Sequence, residues 1–333
     1  MNSALHQERV WLAPAAALTL VSGVGALALI PSASGLLPAL SILPAWMALA
    51  VLIAAVSAFV GAARRKVDSP LTALREWLAR DWRRAVMIAG IMLLAGANMI
   101  AFMWVKPLLN YLVPFHADPL LADLDRALFL GHEPWAVLEW LAFPAAGVIY
   151  HPLWFTAMVF ALLLTASAPP SPERSAVLLS YFILWSVVGP MIHTLLPAAG
   201  PIFYERMGYG TRFAGLDGGP ETREVADYLW SIYASKSFGA GSGISAMPSL
   251  HVTISSWIVI AFHVFARRWR WVALTAWGVI FALSIALGWH YALDGIVGAV
   301  AAAGCYRVAL GIMRRGGARR LSPLSPTPPD IGR

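Results

Sequence analysis

Two histidines and an aspartate carry the chemistry this sequence can offer. His251 closes the stretch Ser245-Ala246-Met247-Pro248-Ser249-Leu250-His251, and about forty residues later Trp289-His290-Tyr291-Ala292-Leu293-Asp294 sets His290 four residues before Asp294. Residues i and i+4 share a helix face, so the Asp294 carboxylate stands one turn from the His290 ring and can accept from it. Such a bond fixes the tautomer and raises the basicity of the other ring nitrogen, which makes an oriented nucleophile or base. The same spacing also describes a pair that merely satisfies itself at a helix end. In the earlier stretch, Pro248 is the residue type favoured in the first turn of a helix. The amides of Ser249, Leu250 and His251 then point out of the helix end, where the dipole favours an anion. A phosphate fits there, with His251 in reach to protonate a leaving oxygen. The plain alternative is a Gly/Ser loop running into a helix with an interfacial histidine.

What must position these residues is a membrane bundle. The chain has 333 residues, of which 59% are hydrophobic and 12% charged. Soluble proteins carry about 25% charged residues, so lipid is the expected solvent. Fifteen Trp suit aromatic belts at the interfaces. The single cysteine, Cys305, lies in an apolar run and excludes an internal disulfide or a cysteine metal cluster. A net charge of +7 could suggest nucleic acid. The basic residues, however, collect in Arg64-Arg65-Lys66 through Arg84, Arg267-Arg268-Trp269-Arg270 and Arg314-Arg315 with Arg319-Arg320, all flanking apolar runs. That is the positive-inside pattern, and it argues against a nucleic-acid partner.

A span needs roughly 20 apolar residues. Eight candidates result, Trp11–Ile30, Ala45–Ala63, Ala85–Val105, Val148–Ala168, Ser175–Leu196, Pro248–Ala266, Trp271–Leu287 and Tyr291–Ile312. The expected fold is an all-α polytopic integral membrane helix bundle. Residues 1–84 form two helices and a basic loop, 85–313 a six-helix core with outer loops 106–147 and 197–247, and 314–333 a basic tail, unstructured from Gly316 on. Both termini and every basic cluster then fall on the cytoplasmic side, and His251 and His290 on the other. The first span, followed by Ser32-Ala33-Ser34, reads as an uncleaved helix rather than a signal sequence. Within 106–147, Leu120, Leu121, Leu124, Leu128 and Leu130 have helical spacing and predict a short interfacial helix.

Pro248-Ser249-Leu250-His251 and His290-x3-Asp294 resemble the Pro-Ser-Gly-His and Ser-Arg-x5-His-x3-Asp motifs of the type 2 phosphatidic acid phosphatase superfamily. Leu250 in place of Gly, and Tyr291 after the second His, look like the inositol phosphorylceramide synthase-like (inositolphosphotransferase) branch. The resemblance implies that His290 attacks phosphorus to form a phosphohistidine, oriented by Asp294. His251 would be the general acid toward the leaving alcohol, and an alcohol or water would resolve the intermediate. It implies a membrane lipid phosphate substrate, no metal and no cofactor.

The chain departs from that pattern in its cations. Ser284 stands where the superfamily has an Arg six residues before its His, and residues 193–201 lack both the Lys and the Arg of the first motif. A transferring phosphate needs cationic compensation. Arg206, beside Tyr204 in the second outer loop, is the first choice, with Lys106, Arg212, Lys236 and His193 behind it. Arg206 could instead pair with Glu205 or Asp217, Lys106 could be a snorkelling anchor, and His193 a core residue. Of the remaining histidines, His263 lies about 18 Å of helix from His251, and His116, His132 and His151 are weak candidates. The expected function is lipid phosphate transfer at the extracytoplasmic leaflet. A simple lipid phosphate or polyprenyl diphosphate phosphatase is the near alternative, and a transporter or a non-catalytic scaffold is further off.

Overall fold

The computed structural model describes residues 2–30 and 36–318, and among these the structured segments are all helical. Ser32-Ala33-Ser34 and the tail beyond Ala318 lie outside the described residues. The long helices are α1 (Asn2–Leu29), α2 (Ile42–Arg64), α3 (Pro70–Leu112), α4 (Asp118–Leu128), α5 (Ala146–Ser167), α6 (Pro172–Leu195), α7 (Pro220–Ala234), α8 (Leu250–Phe265), α9 (Arg270–Ala286) and α10 (Ala292–Ala318). Seven stretches are long and apolar enough to cross a bilayer, namely α1, α2, α3, α5, α6, α9 and α10. The eighth expected span is α8, with only 16 residues.

Four boundaries differ from the expectation. Residues 70–84, expected as a loop, continue α3 as a helix with a break at Asp81 (φ −119°, ψ 29°). Pro70 suits the first turn, and the Leu, Ala, Arg and Glu that follow are good helix formers. At its other end α3 runs past the expected Val105 to Leu112, so Lys106 sits inside it and not in a loop. Pro248 precedes the start of α8, because Ser249 takes the capping position and its Oγ accepts from Val252 N at 3.4 Å. The tail helix also runs to Ala318, three residues into the segment expected to be unstructured.

The bundle is arranged about α8, which packs against α5, α6, α9 and α10. Its core is aromatic and large, with Tyr150, Met158, Leu162, Tyr181, Phe182 and Trp257 wholly buried. The outer faces are apolar too: Val21, Leu52, Phe59, Trp271, Val300 and Val308 are exposed. Apolar side chains on both faces are what lipid permits and water penalises. Where α10 crosses α8, a Cβ on Gly298 would sit 2.2 Å from Thr253 Oγ1. Small residues at helix crossings let backbones approach in the absence of a hydrophobic drive between helices.

Helix α1, an addition to the core, is tied to it by a buried ion pair. Arg174 Nη1 lies 2.5 Å from Glu8 Oε1, and both side chains are nearly inaccessible. The other guanidinium donors bond to the carbonyls of Thr165 and Ala166, and Trp11 Nε1 donates to Glu8 Oε2 at 2.8 Å. Removing one buried partner strands the other charge and costs about 3–5 kcal/mol. Glu8→Leu is therefore expected to lower the melting temperature sharply. The double replacement Glu8→Leu with Arg174→Met should recover much of the loss, as read by a thermal-shift assay on solubilised protein.

Candidate active site

Three loops at one end of the bundle are laced together by backbone bonds. Ala246 N donates to Ala198 O (2.8 Å), Ile202 N to Gly288 O (2.9 Å) and Ser249 N to Asp294 O (3.1 Å). Gly200, with φ +105°, allows the close approach: a Cβ there would lie 2.5 Å from Trp289 O. Asp118 of α4 holds the first loop, accepting from Ala199 N (2.9 Å), Gly200 N (2.8 Å) and the Tyr291 hydroxyl (3.0 Å). Asp125, two turns on, accepts from Ala292 N and Leu293 N and so caps α10. The expected interfacial helix is thus the clamp of the site. Its opposite face exposes Leu120, Leu124 and Leu128, whereas Leu121 turns inward.

These loops bring His251 and His290 together, with ring centroids 6.4 Å apart. His290 Nδ1 lies 2.8 Å from the Ala246 carbonyl oxygen, which can only accept. Nδ1 therefore carries the proton and Nε2 the lone pair. Asp294 does not make the expected hydrogen bond to this ring, for its Oδ2 is 3.6 Å from Nδ1 and accepts from Tyr291 N at 2.8 Å instead. The carboxylate is held by the first turn of its own helix, where Tyr291 N needs an acceptor. Its second oxygen is buried without a hydrogen-bond partner. The backbone N–H of His290 is anchored on the carbonyl of Ser284, the residue standing at the superfamily Arg position. His251 stacks on Tyr150 at 4.2 Å, and Trp154 both contacts its ring and donates to its carbonyl.

The other expected site residues divide. Lys106 lies near His151, His193, His251 and His290, within range for its charge to act on each. Gly243 packs directly on its stem, since a Cβ there would meet Lys106 Cγ at 2.9 Å. His193 is part of a buried network: Asn110 Nδ2 donates to its Nε2 (3.3 Å), so its Nδ1–H donates to Ser245 Oγ (3.0 Å). Asn110 also brackets both backbone groups of Ile244 at 2.7 Å.

Arg206, by contrast, pairs with Asp227 at 2.5 Å and lies over Trp230; neither Glu205 nor Asp217 holds it. Arg212 is bound to Asp123 and Glu133. Tyr204 packs with Tyr209 and Phe213, and the Tyr291 hydroxyl is occupied by Asp118. Ser249 N is taken by Asp294 O, which leaves Leu250 and His251 as the first-turn amides without a backbone or cap acceptor. His151 belongs to the cluster despite its weak sequence signal, its ring 5.4 Å from that of His251. Asp118 and Asp125 carried no motif at all.

A family model described as the PAP2 superfamily matches residues 119–308, more than half of the 333-residue chain. The chain belongs to the PAP2 superfamily. No curated protein and no solved structure matches it. PAP2 membership suggests phosphatase or phosphotransferase activity. The matched residues include Asp125, His151, His193, His251, His290 and Asp294, while Lys106 and the first two helices lie before them.

Desolvation pushes the Asp125 carboxyl up to about 6, with the charges of Asp294 and Glu133 acting the same way and the two backbone N–H groups opposing. The folded state then holds this proton more tightly than the unfolded chain. The resulting stabilisation is complete below about pH 4 and is lost as pH rises through about 6. The melting temperature of the wild type relative to Asp125→Asn should therefore fall between pH 4 and pH 7. A difference that is flat across that range contradicts the burial argument.

Proposed function

We propose that this PAP2 member transfers the phosphoryl group of a membrane lipid phosphate, or phospholipid headgroup, through a phosphohistidine on His290. The observation that carries the reading is the His290 ring itself: Nδ1 is committed to Ala246 O, and His251 lies 6.4 Å across from it. In the first step the Nε2 lone pair attacks phosphorus, the bond from phosphorus to the leaving alcohol oxygen breaks, and that oxygen takes a proton from His251. The N–P bond leaves positive charge on the His290 ring, which the buried Asp294 carboxylate stabilises at 3.6 Å. In the second step an alcohol or water gives its proton to His251 and attacks phosphorus, and the N–P bond breaks. Acid–base help of this kind contributes about 10²–10⁴-fold.

The cation is Lys106 rather than Arg206, whose charge is met by Asp227. Amides of Leu250 and His251 at the start of α8 add donors for a phosphoryl oxygen. The catalytic end is extracytoplasmic on this reading. His251 and His290 sit at the starts of α8 and α10, and Arg267, Arg268, Arg314 and Arg315 at the far ends. Leu250 and Tyr291 support the inositolphosphotransferase-like branch and so transfer to an alcohol. Transfer to water, which makes the protein a lipid phosphate phosphatase, is the alternative.

Purified protein supplied with ³²P-labelled lipid phosphates should form an acid-labile, base-stable phosphoprotein that is missing in His290→Ala. His251→Ala should lose about 10²–10⁴-fold in turnover and Lys106→Met about 10²–10³-fold. Free phosphate released equally with and without candidate alcohols would replace the transferase version by the phosphatase. An unlabelled wild-type protein that still turns over removes the covalent mechanism.

A further inference from the structure

We propose that His151 is a third imidazole of the phosphoryl pocket, its Nε2–H donating to a non-bridging oxygen of the transferring group. The proposal rests on the reading of His290 as the nucleophile and supplies a donor that the missing superfamily guanidinium leaves absent.

Local backbone geometry delivers the residue. Residues Ile149–Leu153 wind as one wide π-turn containing Pro152, at the head of α5. Such turns are frequent at functional sites. Here the turn places two neighbours in sequence against one ring: Tyr150 stacks on His251 at 4.2 Å, and His151 meets it edge-on at 5.4 Å.

The polar groups around His151 call for an acceptor. Its Nε2 is buried with no hydrogen bond, a condition that native proteins rarely leave unfilled. Trp289 stands edge-on to it at 5.7 Å, and the Trp289 Nε1–H, a donor only, is also buried without a partner. Lys106, with donors alone, acts on His151, His251 and His290 together. A ligand common to these groups is an oxyanion rich in acceptors. With His290 in line with the leaving oxygen, three phosphoryl oxygens remain. Lys106, the amides of Leu250 and His251, and His151 provide one donor set for each.

The test uses the full chain in lipid nanodiscs, with orthovanadate as the phosphate probe in isothermal titration and turnover of labelled lipid phosphate measured alongside. His151→Phe keeps an aromatic ring without a donor, and His151→Gln keeps a donor without the ring. His151→Phe should weaken orthovanadate binding by about tenfold or more and cut kcat/KM comparably. His151→Gln should stay within about threefold of wild type in both. Thermal shifts establish that each variant is folded. A His151→Phe protein that binds like wild type overturns the proposal. So does His151→Gln losing as much as His151→Phe, since a restored donor then recovers nothing. Wild type that binds no orthovanadate, or turnover that survives His290→Ala, refutes the nucleophile reading and this proposal with it.

Discussion

The bond from His290 Nδ1 to the carbonyl of Ala246 is the contact on which the candidate chemistry depends. A neutral imidazole can present a lone pair at either nitrogen, and only a fixed partner on one side decides which. A carbonyl is a stricter partner than a carboxylate, because it cannot take the proton away. The consequence is that Ala246 must be held to within a fraction of an ångström. Everything in the three loops serves that requirement: Ala246 N is tied to Ala198 O, and Gly200 closes against Trp289 with no room for a side chain.

Those loops would be poor holders alone, since loops are the mobile part of most proteins. Rigidity is borrowed from α4. Asp118 and Asp125 are among the most buried carboxylates of the chain, and each spends its oxygens on backbone N–H groups of the site loops or the first turn of α10. Burying a carboxylate is unfavourable unless such donors surround it. The arrangement is therefore self-selecting: α4 docks in the one place where both charges are satisfied, with Leu120, Leu124 and Leu128 left on its outer face. Position along the chain hides this, because Asp118 and its partner Tyr291 are 173 residues apart.

How much could be read in advance follows from the range of each interaction. Helix existence was legible, since apolar length is a local property, and so was the pairing of His251 with His290, since both begin apolar runs with two crossings between. The amphipathic spacing of Leu120 to Leu128 marked α4. What sequence could not supply were choices between partners at a distance. Asp294 lies close to His290, as expected, though His290 precedes the helix that starts at Ala292, and the ring takes the Ala246 carbonyl, 44 residues earlier in the chain. Arg206 was the first choice for the phosphate, with Glu205 or Asp217 as alternative partners, and is engaged by Asp227 on α7. Lys106 looked like an anchor at the end of a span, but α3 continues to Leu112 and leaves it a turn and a half inside. His151 was invisible for another reason: a π-turn breaks the 3.6-residue periodicity by which side-chain direction is assigned.

The shortness of α8 joins these points. Sixteen residues rise about 24 Å, against a hydrocarbon thickness of about 30 Å. The segment from Gly239 to Ser249 enters α8 in non-helical form, and its buried backbone groups must find partners within the protein. Asn110 meets that condition for Ile244, as Ala198 and Asp294 do for Ala246 and Ser249. The start of α8, with His251, is thereby held by protein contacts on the loop that leads into it. On the proposed reading, an oxyanion bound there by Lys106 would gain from burial, because fewer waters compete for it. On that reading, one lysine and shared imidazoles in a buried pocket would do what additional guanidinium groups do in a more exposed one.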